Sequence, residues 1–498
     1  MSRHRLSVLS AALVGALASA SLAQTPPPAA APPPPAPADW GKALAEDARA
    51  FHDIVAESHP GPVDVENPGF KAVLKGGLTT ALKRAKTAKR YEDWYFALNE
   101  YQASFNDGHL TLYEHAPMGH AWRSRWPGFL TALEGGRYVV AFNRDPAAPP
   151  VGAVLTSCDG RPADAFAADF IGKGAGRWNL RSRRVTYASS LFVDQMNPYV
   201  RRPERCVFQV DGAERTYPLA WRDLPTEVRD EGFAAARSPR YFAPLELRAY
   251  GADGYWVGWG SFESDPASDD GKALTALQAR IESQADAIRA SKVVVFDLRG
   301  NNGGSSEWSA AVTRILWGEA WVDAKAERST GVDWRTSVNN IKAIAAYREQ
   351  FVSDARLRTW FEELENGMKG ARARGQALWR QGGGEASAAP KDAVTAMKAR
   401  VYILTDYGCA SACLDAVDLL KALGGVQVGQ ETSADTLYMD VREQFLPSMR
   451  AKVVVPMKVY RGRARGSNVT AVPAYEWKGA LSDTAGVEAW IAGIDARR

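Results

Sequence analysis

The stretch "KVVVFDLRGNNGG", residues 292–304, joins an apolar run of β-branched residues to a loop with three glycines. Such a run is typical of a strand that is buried on both faces of a sheet. The amphipathic pattern "KALTALQARIESQADAIRA" precedes it, and a second apolar run, "RVYILTD", precedes the helical pattern "SACLDAVDLLKALGG". This alternation predicts a mostly parallel sheet, in which functional residues gather at the carboxyl ends of the strands.

Ser411 lies at such an end, in "DYGCASACLD" (406–415), between the second apolar run and its helix. The first amides of a helix are unpaired, so a serine there has the surroundings of a nucleophile with an oxyanion site. Two other interpretations stay open for this segment. Ser411 is an N-cap, a common role for serine, or Cys409 or Cys413 is the reactive group, unless these two cysteines bridge each other.

The loop after Asp297 carries Gly300, Gly303 and Gly304. Glycines let the main chain approach a ligand closely and turn its N–H groups inward. A phosphate cradle is a rival interpretation, but no GK[ST] follows and the spacing is not GxGxxG. The loop is otherwise only a tight turn, in which Asp297 and Arg299 pair with each other.

His109 follows a glycine in "SFNDGHLTLYEH" (104–115) and precedes an alternating strand pattern. Of the six histidines it is the one best placed to be held by a turn. We expect structural or surface roles for the other histidines beyond residue 50: His52, His59, His115 and His120.

The composition is that of a globular protein, with 46% hydrophobic and 24% charged residues in 498. A formal net charge of +4 and the lack of basic clusters argue against nucleic-acid binding. A basic start and an apolar Ala/Leu-rich run predict a signal peptide that is cleaved after Ala23, hence a periplasmic or secreted protein with no integral membrane segment thereafter. No His/Cys spacing indicates a metal site, and no cofactor is expected.

The three segments together resemble the C-terminal processing (tail-specific) serine peptidase family. "DLRGNNGG" matches the DLRxNxGG loop of that family, and "CASACLD" resembles its TASASE segment, which implies that Ser411 is the nucleophile. "DGHL" resembles the DGHT motif of the tricorn-like branch, where the histidine is the general base, which implies that role for His109. "SHPG" at 58–61 also fits that branch. The resemblance covers most of the chain, from about Ala43 to Ile491.

The resemblance implies an α/β, multidomain fold: a mixed, mostly parallel ClpP/crotonase-like core, an N-terminal helical domain and a PDZ-like β domain. The strands "VGAVLTSCDG" and "RCVFQVDG" with the helix between them resemble a PDZ domain, which binds peptide tails by strand addition, and Cys158 and Cys206 there are a plausible disulfide. The predicted segments are a signal peptide at 1–23, a Pro/Ala-rich linker at 24–39, a helical region at 40–122, a PDZ-like domain at 123–225, and the peptidase core at 226–498 with a helical insertion at 322–398.

Two departures from the family bear on the mechanism. The tail-specific branch has a catalytic lysine about 25 residues beyond the serine, but "VGQETSADTLY" (428–438) has none, which favours a Ser–His arrangement. Gly108 stands where tricorn-type members have a serine that helps to orient the histidine. The acid behind His109 is therefore open among Asp107, Glu431 and Glu476. We prefer Glu476, because the family places an acid in the C-terminal part of the core.

These observations predict an exported serine peptidase that hydrolyses peptide bonds in peptide or protein substrates. Ser411 attacks the carbonyl, His109 takes its proton, and backbone amides of Gly303, Gly304 and Ala412 hold the oxyanion. The alternatives are a serine esterase or amidase that uses the same site, and a catalytically inactive ligand-binding protein with the peptidase fold.

Overall fold

The structure is a computed structural model that describes residues 37–114, 122–236, 241–326, 331–350, 355–382 and 393–497. The predicted signal peptide, the first part of the predicted linker, His115 and His120 lie outside the described residues. No described helix is both long enough and apolar enough to cross a membrane. Contacts divide the chain into two units: the described residues up to 236 with Glu443–Val455, here called the N-terminal unit, and the remaining described residues from 241 onward, here called the core unit.

The core unit is built on a six-stranded sheet. Its elements are β10 Glu246–Tyr250, β11 Gly254–Gly258, α8 Asp269–Ser283, α9 Ala285–Ala290, β12 Val293–Asp297, α10 Glu307–Trp317, α11 Glu319–Lys325, β13 Gly331–Arg335, α12 Val338–Gln350, α13 Ala355–Ala373, β14 Leu378–Gln381, β15 Arg400–Thr405, α14 Ala412–Ala422, β16 Val426–Gly429, β19 Tyr475–Glu476 and α15 Thr484–Asp495. Two further strands, β17 Tyr438–Phe445 and β18 Ala451–Arg461, belong to this unit only outside residues 443–455. The order β10-β11-β12-β15-β16-β19 is parallel except for the β10–β11 hairpin. All five residues of β12 are buried, because helices cover both faces, and the predicted mixed α/β fold is confirmed.

The register of the parallel strands gathers the predicted functional segments at one edge. Asp297 at the end of β12 lies opposite Leu404 of β15. Thr405 lies opposite Gly429 of β16, which in turn lies opposite Glu476 of β19. The glycine loop, the turn with Ser411 and Glu476 therefore all leave the sheet at its carboxyl edge.

The insertion at 322–398 contains the predicted helices, α12 and α13, and also the strands β13 and β14. β13 pairs on one side with β14 and on the other with β18. Val332 and Trp334 of β13 are fully buried against Phe361 and Leu364 of α13. The sequence of this segment does not reveal its apolar core, because charged residues stand between the apolar ones.

The N-terminal unit contains the predicted helical region and the predicted PDZ-like region. Its further elements are α1 Trp40–Ser58, α2 Phe70–Ala85, α3 Tyr91–Ala103, β1 Thr111–Glu114, β2 Arg125–Trp126, β3 Phe129–Glu134, β4 Arg137–Asn143, β5 Val154–Cys158, β6 Arg161–Pro162, α4 Ala163–Ala167, α5 Lys173–Ala175, α6 Arg181–Ala188, β7 Arg205–Val210, β8 Ala213–Pro218, β9 Arg222–Asp223 and α7 Thr226–Ala236. The helices α1–α3 share one core, as their apolar spacing predicts. Residues 443–455 join this unit rather than the predicted core, because β1 pairs with residues 451–454 of β18 and Asp47 accepts the amide hydrogen of Ser448 at 2.9 Å.

The region with the PDZ-like pattern forms an antiparallel sheet of order β3-β4-β5-β7-β8, with β6 beside β5. Cys158 and Cys206 lie directly opposite each other in β5 and β7 and form a disulfide. Peptide binding by this sheet remains a prediction.

Candidate active site

Ser411 has a main-chain conformation that residues with a Cβ rarely adopt, with φ 54° and ψ −126°. It precedes the first residue of α14, but its side chain makes no capping hydrogen bond. A capping serine normally has extended geometry and accepts an amide hydrogen of the first turn. The Oγ atom of Ser411 is buried and has no hydrogen-bond partner among the described residues. The hydroxyl is thus held at a sharp strand-to-helix turn without serving as a cap, as nucleophilic serines are in other α/β folds.

A buried carboxylate holds the main chain of Ser411. The amide of Ser411 donates to Oδ2 of Asp435 at 2.5 Å, and Asp435 is 4% exposed. Asp435 lies 24 residues beyond the serine, in the stretch where the tail-specific branch has its lysine. We did not predict this contact. An acid in that stretch was the only signal for it.

Cys409 and Cys413 form a disulfide that spans Ser411. Both cysteines are fully buried. A thiolate nucleophile at either position is excluded in this state, because neither sulfur is free. The turn is also stabilised by main-chain hydrogen bonds from Cys413 to the Ala410 carbonyl at 3.1 Å and from Ser433 to the Cys409 carbonyl at 3.0 Å.

The glycine loop lies directly against this turn. A Cβ atom at Gly303 would lie 2.6 Å from Cβ of Ser411, 2.7 Å from the Ala410 carbonyl oxygen and 2.9 Å from the Ala412 nitrogen. Gly303 also has φ +99°, which is strained for any residue with a side chain. Only glycine therefore allows the loop and the serine to approach this closely.

The three amides predicted to hold an oxyanion differ in availability. The amide of Gly303 donates to Oδ1 of its neighbour Asn301 at 2.9 Å, so it is not available in this structure. The amides of Gly304 and Ala412 have no hydrogen-bond partner among the described residues. The candidate donors are therefore Gly304 and Ala412.

A buried polar scaffold supports the loop from below. Arg299 forms a fully buried double ion pair with Asp297, as the sequence suggests, and its Nη1 atom donates to the Leu481 carbonyl at 2.5 Å. Asp406 accepts the amides of Gly300 at 2.9 Å and Gly408 at 2.8 Å. Burial raises the pKa of Asp406 to about 6, although these two amides favour its charged form.

His109 lies on the turn before β1 in the N-terminal unit and is half-buried. Its amide donates to Oδ1 of Asp107 at 2.9 Å. Its Nδ1 atom is buried and has no partner among the described residues. Asp107 was one of the acids predicted to orient the imidazole, and its Oδ1 atom accepts the main-chain amide of His109 rather than a hydrogen of Nδ1. Like Ser411, His109 therefore has a buried side-chain atom without a partner among the described residues and an amide bound to a buried carboxylate.

The second oxygen of Asp107 is bound by His59, with 3.0 Å between Nε2 and Oδ2. We expected a structural or surface role for His59, and it is fully buried. Burial raises the pKa of Asp107, but the hydrogen bond from His59 and electrostatic interactions with His59 and His109 outweigh it, so that the pKa lies below its usual value. The segments "SHPG" and "DGHL" contain His59 and Asp107, but no local pattern indicates that the two residues pair, because they lie 48 residues apart.

Gly108 has a local explanation. The space that its Cβ would occupy is filled by the guanidinium of Arg177, with Nη1 at 2.6 Å. The amide of Arg177 donates to the side chain of Asn106 at 2.7 Å, which brings the arginine to this turn. A serine at position 108 would require the guanidinium of Arg177 to move.

The other two candidate acids lie in the core unit. Glu476 is exposed at the end of β19, and Glu431 follows β16 at the same edge of the sheet. The contribution of either to the orientation of His109 remains a prediction. Within the described residues, no group of three or more His, Cys, Asp and Glu side chains is placed to hold a metal ion.

No protein-family model and no curated protein matches this chain. Solved structures do match. Mature CPAF aligns with a TM-score of 0.57 at 14% identity, over 92% of this chain and 98% of that chain. Mature CPAF complexed with lactacystin aligns with a TM-score of 0.56 at 13% identity, over 92% and 100% of the two chains. A photosystem II C-terminal processing protease aligns over 90% and 96% at 14% identity, with a TM-score of 0.33.

At such identities a likeness shows the fold alone. The chain has the fold of CPAF.

Proposed function

We propose that this protein is an exported serine peptidase, in which Ser411 is the nucleophile, His109 the general base and Glu476 the acid that orients the base. The observation that carries the proposal is the Ser411 hydroxyl, which is buried without a partner on a strained turn at the start of α14. A buried hydroxyl normally has a hydrogen-bond partner, and strain of this kind gathers at functional sites. The resemblance of "DLRGNNGG" and "CASACLD" to the motifs of the C-terminal processing peptidases supports the same class of enzyme.

The proposed reaction is acyl transfer to the serine. Ser411 Oγ attacks the carbonyl carbon of the scissile peptide while His109 takes the hydroxyl proton. The amides of Gly304 and Ala412 stabilise the oxyanion, and each such donor contributes about 10²–10³ in rate. His109 then gives the proton to the leaving amine, and a water molecule hydrolyses the acyl-enzyme by the same steps in reverse order.

A peptidase with two disulfides suits an oxidising compartment. The signal peptide predicted from the sequence would deliver it there. We therefore propose a periplasmic or secreted location and a peptide or protein substrate.

Labelling with a fluorophosphonate probe tests the nucleophile. We expect labelling of the wild-type protein and none of Ser411→Ala. His109→Ala should slow labelling by at least about 10³-fold, because a serine is a weak nucleophile without its base. Ser433→Ala, a change to a serine near the turn, is the matched control and should be labelled like the wild type.

The outcomes separate the three candidate functions. Cleavage of a peptide library by the wild type but not by Ser411→Ala would support the peptidase. Labelling with turnover of esters and no cleavage of any peptide would favour the esterase. Absence of labelling in the wild type would favour the inactive ligand-binding protein.

A further inference from the structure

The turn that carries His109 depends on a side chain for its main-chain geometry. The amide of His109 donates to Asp107 Oδ1 at 2.9 Å. This bond joins the peptide unit of the histidine to a carboxylate whose side chain is 2% exposed. A shift of that carboxylate would therefore move the main chain from which the imidazole projects.

The Asp107 carboxylate is placed in turn by His59. The His59 ring is fully buried, and its Nε2 atom lies 3.0 Å from Asp107 Oδ2. The amide of Gly61 donates to the Nδ1 atom of the same ring at 2.8 Å. Because Nδ1 accepts a hydrogen bond, the ring hydrogen of the neutral imidazole lies on Nε2 and is donated to the carboxylate. The main chain thus fixes both the tautomer of His59 and the direction of its bond.

The His59 ring is also clamped sterically. It stacks on Phe70, with ring centroids 4.5 Å apart and an interplanar angle of 23°. Gly61 passes so close to the same phenyl ring that a Cβ there would lie 2.4 Å from it. The turn that follows α1 and the start of α2 therefore hold His59 in one orientation.

We propose that His59 and Asp107 are positioning residues, a buried histidine–carboxylate pair that fixes the main chain at His109 and thereby the direction of the imidazole. The proposal rests on the proposed function, in which His109 is the general base. Its alternative is a pair that stabilises the N-terminal unit and has no effect on the base. A buried carboxylate is costly to desolvate. The presence of Asp107 beside the proposed base is therefore explained by one of these two roles.

Two substitutions of His59 distinguish positioning of His109 from stabilisation alone. They differ in whether the new side chain can donate a hydrogen bond to Asp107. His59→Phe keeps a planar ring that can stack on Phe70 but donates nothing to Asp107. His59→Gln places an amide nitrogen near the position of Nε2 and can still donate. His52→Phe is the matched control, because His52 lies in helix α1, just before the turn with His59, and contacts Asp53 instead of the pair.

The measurements are kcat and KM for a cleaved peptide, and hydrogen exchange of the His109 amide. For His59→Phe we expect kcat to fall by about 10²-fold with KM nearly unchanged, the cost of a displaced catalytic group. His59→Gln should lose at most about tenfold, the rate equivalent of one weakened hydrogen bond. Exchange at the His109 amide should accelerate in His59→Phe, return towards the wild-type rate in His59→Gln, and stay unchanged in His52→Phe.

The outcomes distinguish failure of this proposal from failure of the proposed function. Equal kcat in His59→Phe and the wild type would overturn positioning, as would equal losses in His59→Phe and His59→Gln. Full activity in His109→Ala would overturn His109 as the base, whatever the exchange rates are. If the wild type hydrolyses nothing, the exchange data alone decide whether the pair holds the turn, and unchanged exchange in His59→Phe would overturn that as well.

Discussion

The main chain is held by the same kind of hydrogen bond in the turn at Ser411 and the turn at His109, but the other constraints on the two turns differ. In both turns the amide of the predicted catalytic residue donates to a buried carboxylate, Asp435 for the serine and Asp107 for the histidine. The serine turn is further constrained by a strained φ angle, a disulfide and the contact with Gly303. The position of the proposed nucleophile is thus set by steric and covalent constraints, whereas that of the proposed base depends on hydrogen bonds to one carboxylate.

The largest effect is expected from Gly303→Ala. The new methyl group would overlap Cβ of Ser411 and the amide of Ala412, so it would displace both the nucleophile and an oxyanion donor. We expect kcat/KM to fall by about 10³-fold, as after loss of an oxyanion donor. Steady-state kinetics and fluorophosphonate labelling measure this loss.

Gly424→Ala is the matched control for that substitution. Gly424 has nearly the same φ, +96°, but a Cβ there would meet no atom within 4 Å. Both variants should lose about 1–2 kcal/mol of the free energy of unfolding to backbone strain, and Gly303→Ala should lose more because of the overlap with Ser411. If Gly424→Ala lost as much activity as Gly303→Ala, the contact with Ser411 would not be the cause.

The same substitution in the two turns, Asp to Asn, should give unequal losses. Both oxygens of Asp107 accept hydrogen bonds, from His109 and from His59, so in Asp107→Asn an amide group would face a donor. Asp435 accepts the Ser411 amide through one oxygen, which an asparagine can supply. We expect kcat to fall by about 10²-fold in Asp107→Asn and by less than about tenfold in Asp435→Asn. Similar losses in the two variants would mean that the charge of the carboxylate matters more than its hydrogen bonds.

Removal of either disulfide should lower stability, but removal of only one of them should lower activity. Cys409 and Cys413 are 4 residues apart, and Cys158 and Cys206 are 48 apart. Because a bridge over a longer loop constrains the unfolded chain more, replacing each pair by alanines should cost about 2 and about 4 kcal/mol of the free energy of unfolding, respectively. Only loss of the first pair should slow labelling of Ser411, by about tenfold, because only that bridge spans the nucleophile. Slower labelling after loss of the second pair would contradict this division.

The sequence predicts those features that depend on local pattern. The apolar runs at β12 and β15 require burial in a sheet, and the serine between a strand and a helix places Ser411 at the carboxyl edge. The roles of Asp435 and His59 depend on contacts between distant segments, which no local pattern encodes. The glycine loop lies at the edge of the sheet where the sequence predicts it. The sequence does not predict, however, that the Gly303 amide donates to the Asn301 side chain and is not available to an oxyanion.

The smallest effect is expected in the pH dependence of stability, where the two turns should show opposite signs. The pKa of Asp406, at the start of the serine turn, is raised from 3.8 to about 6. Between pH 4 and pH 6 the folded protein therefore binds more protons at this site than the unfolded chain, so Asp406 makes the free energy of unfolding fall as the pH rises, by at most about 1.4 kcal/mol per pH unit.

The pKa of Asp107 is lowered, so its contribution is present above its usual pKa of 3.8 and is lost as the pH falls below that value. Asp406→Asn, which resembles the protonated acid, should remove the decline between pH 4 and pH 6, and Asp107→Asn should leave that decline in place. Urea denaturation of the three proteins at pH 4, 5, 6 and 7 measures both. A decline that persists in Asp406→Asn would place its source in another group, and one that disappears in Asp107→Asn would show that the two buried carboxylates titrate together rather than independently.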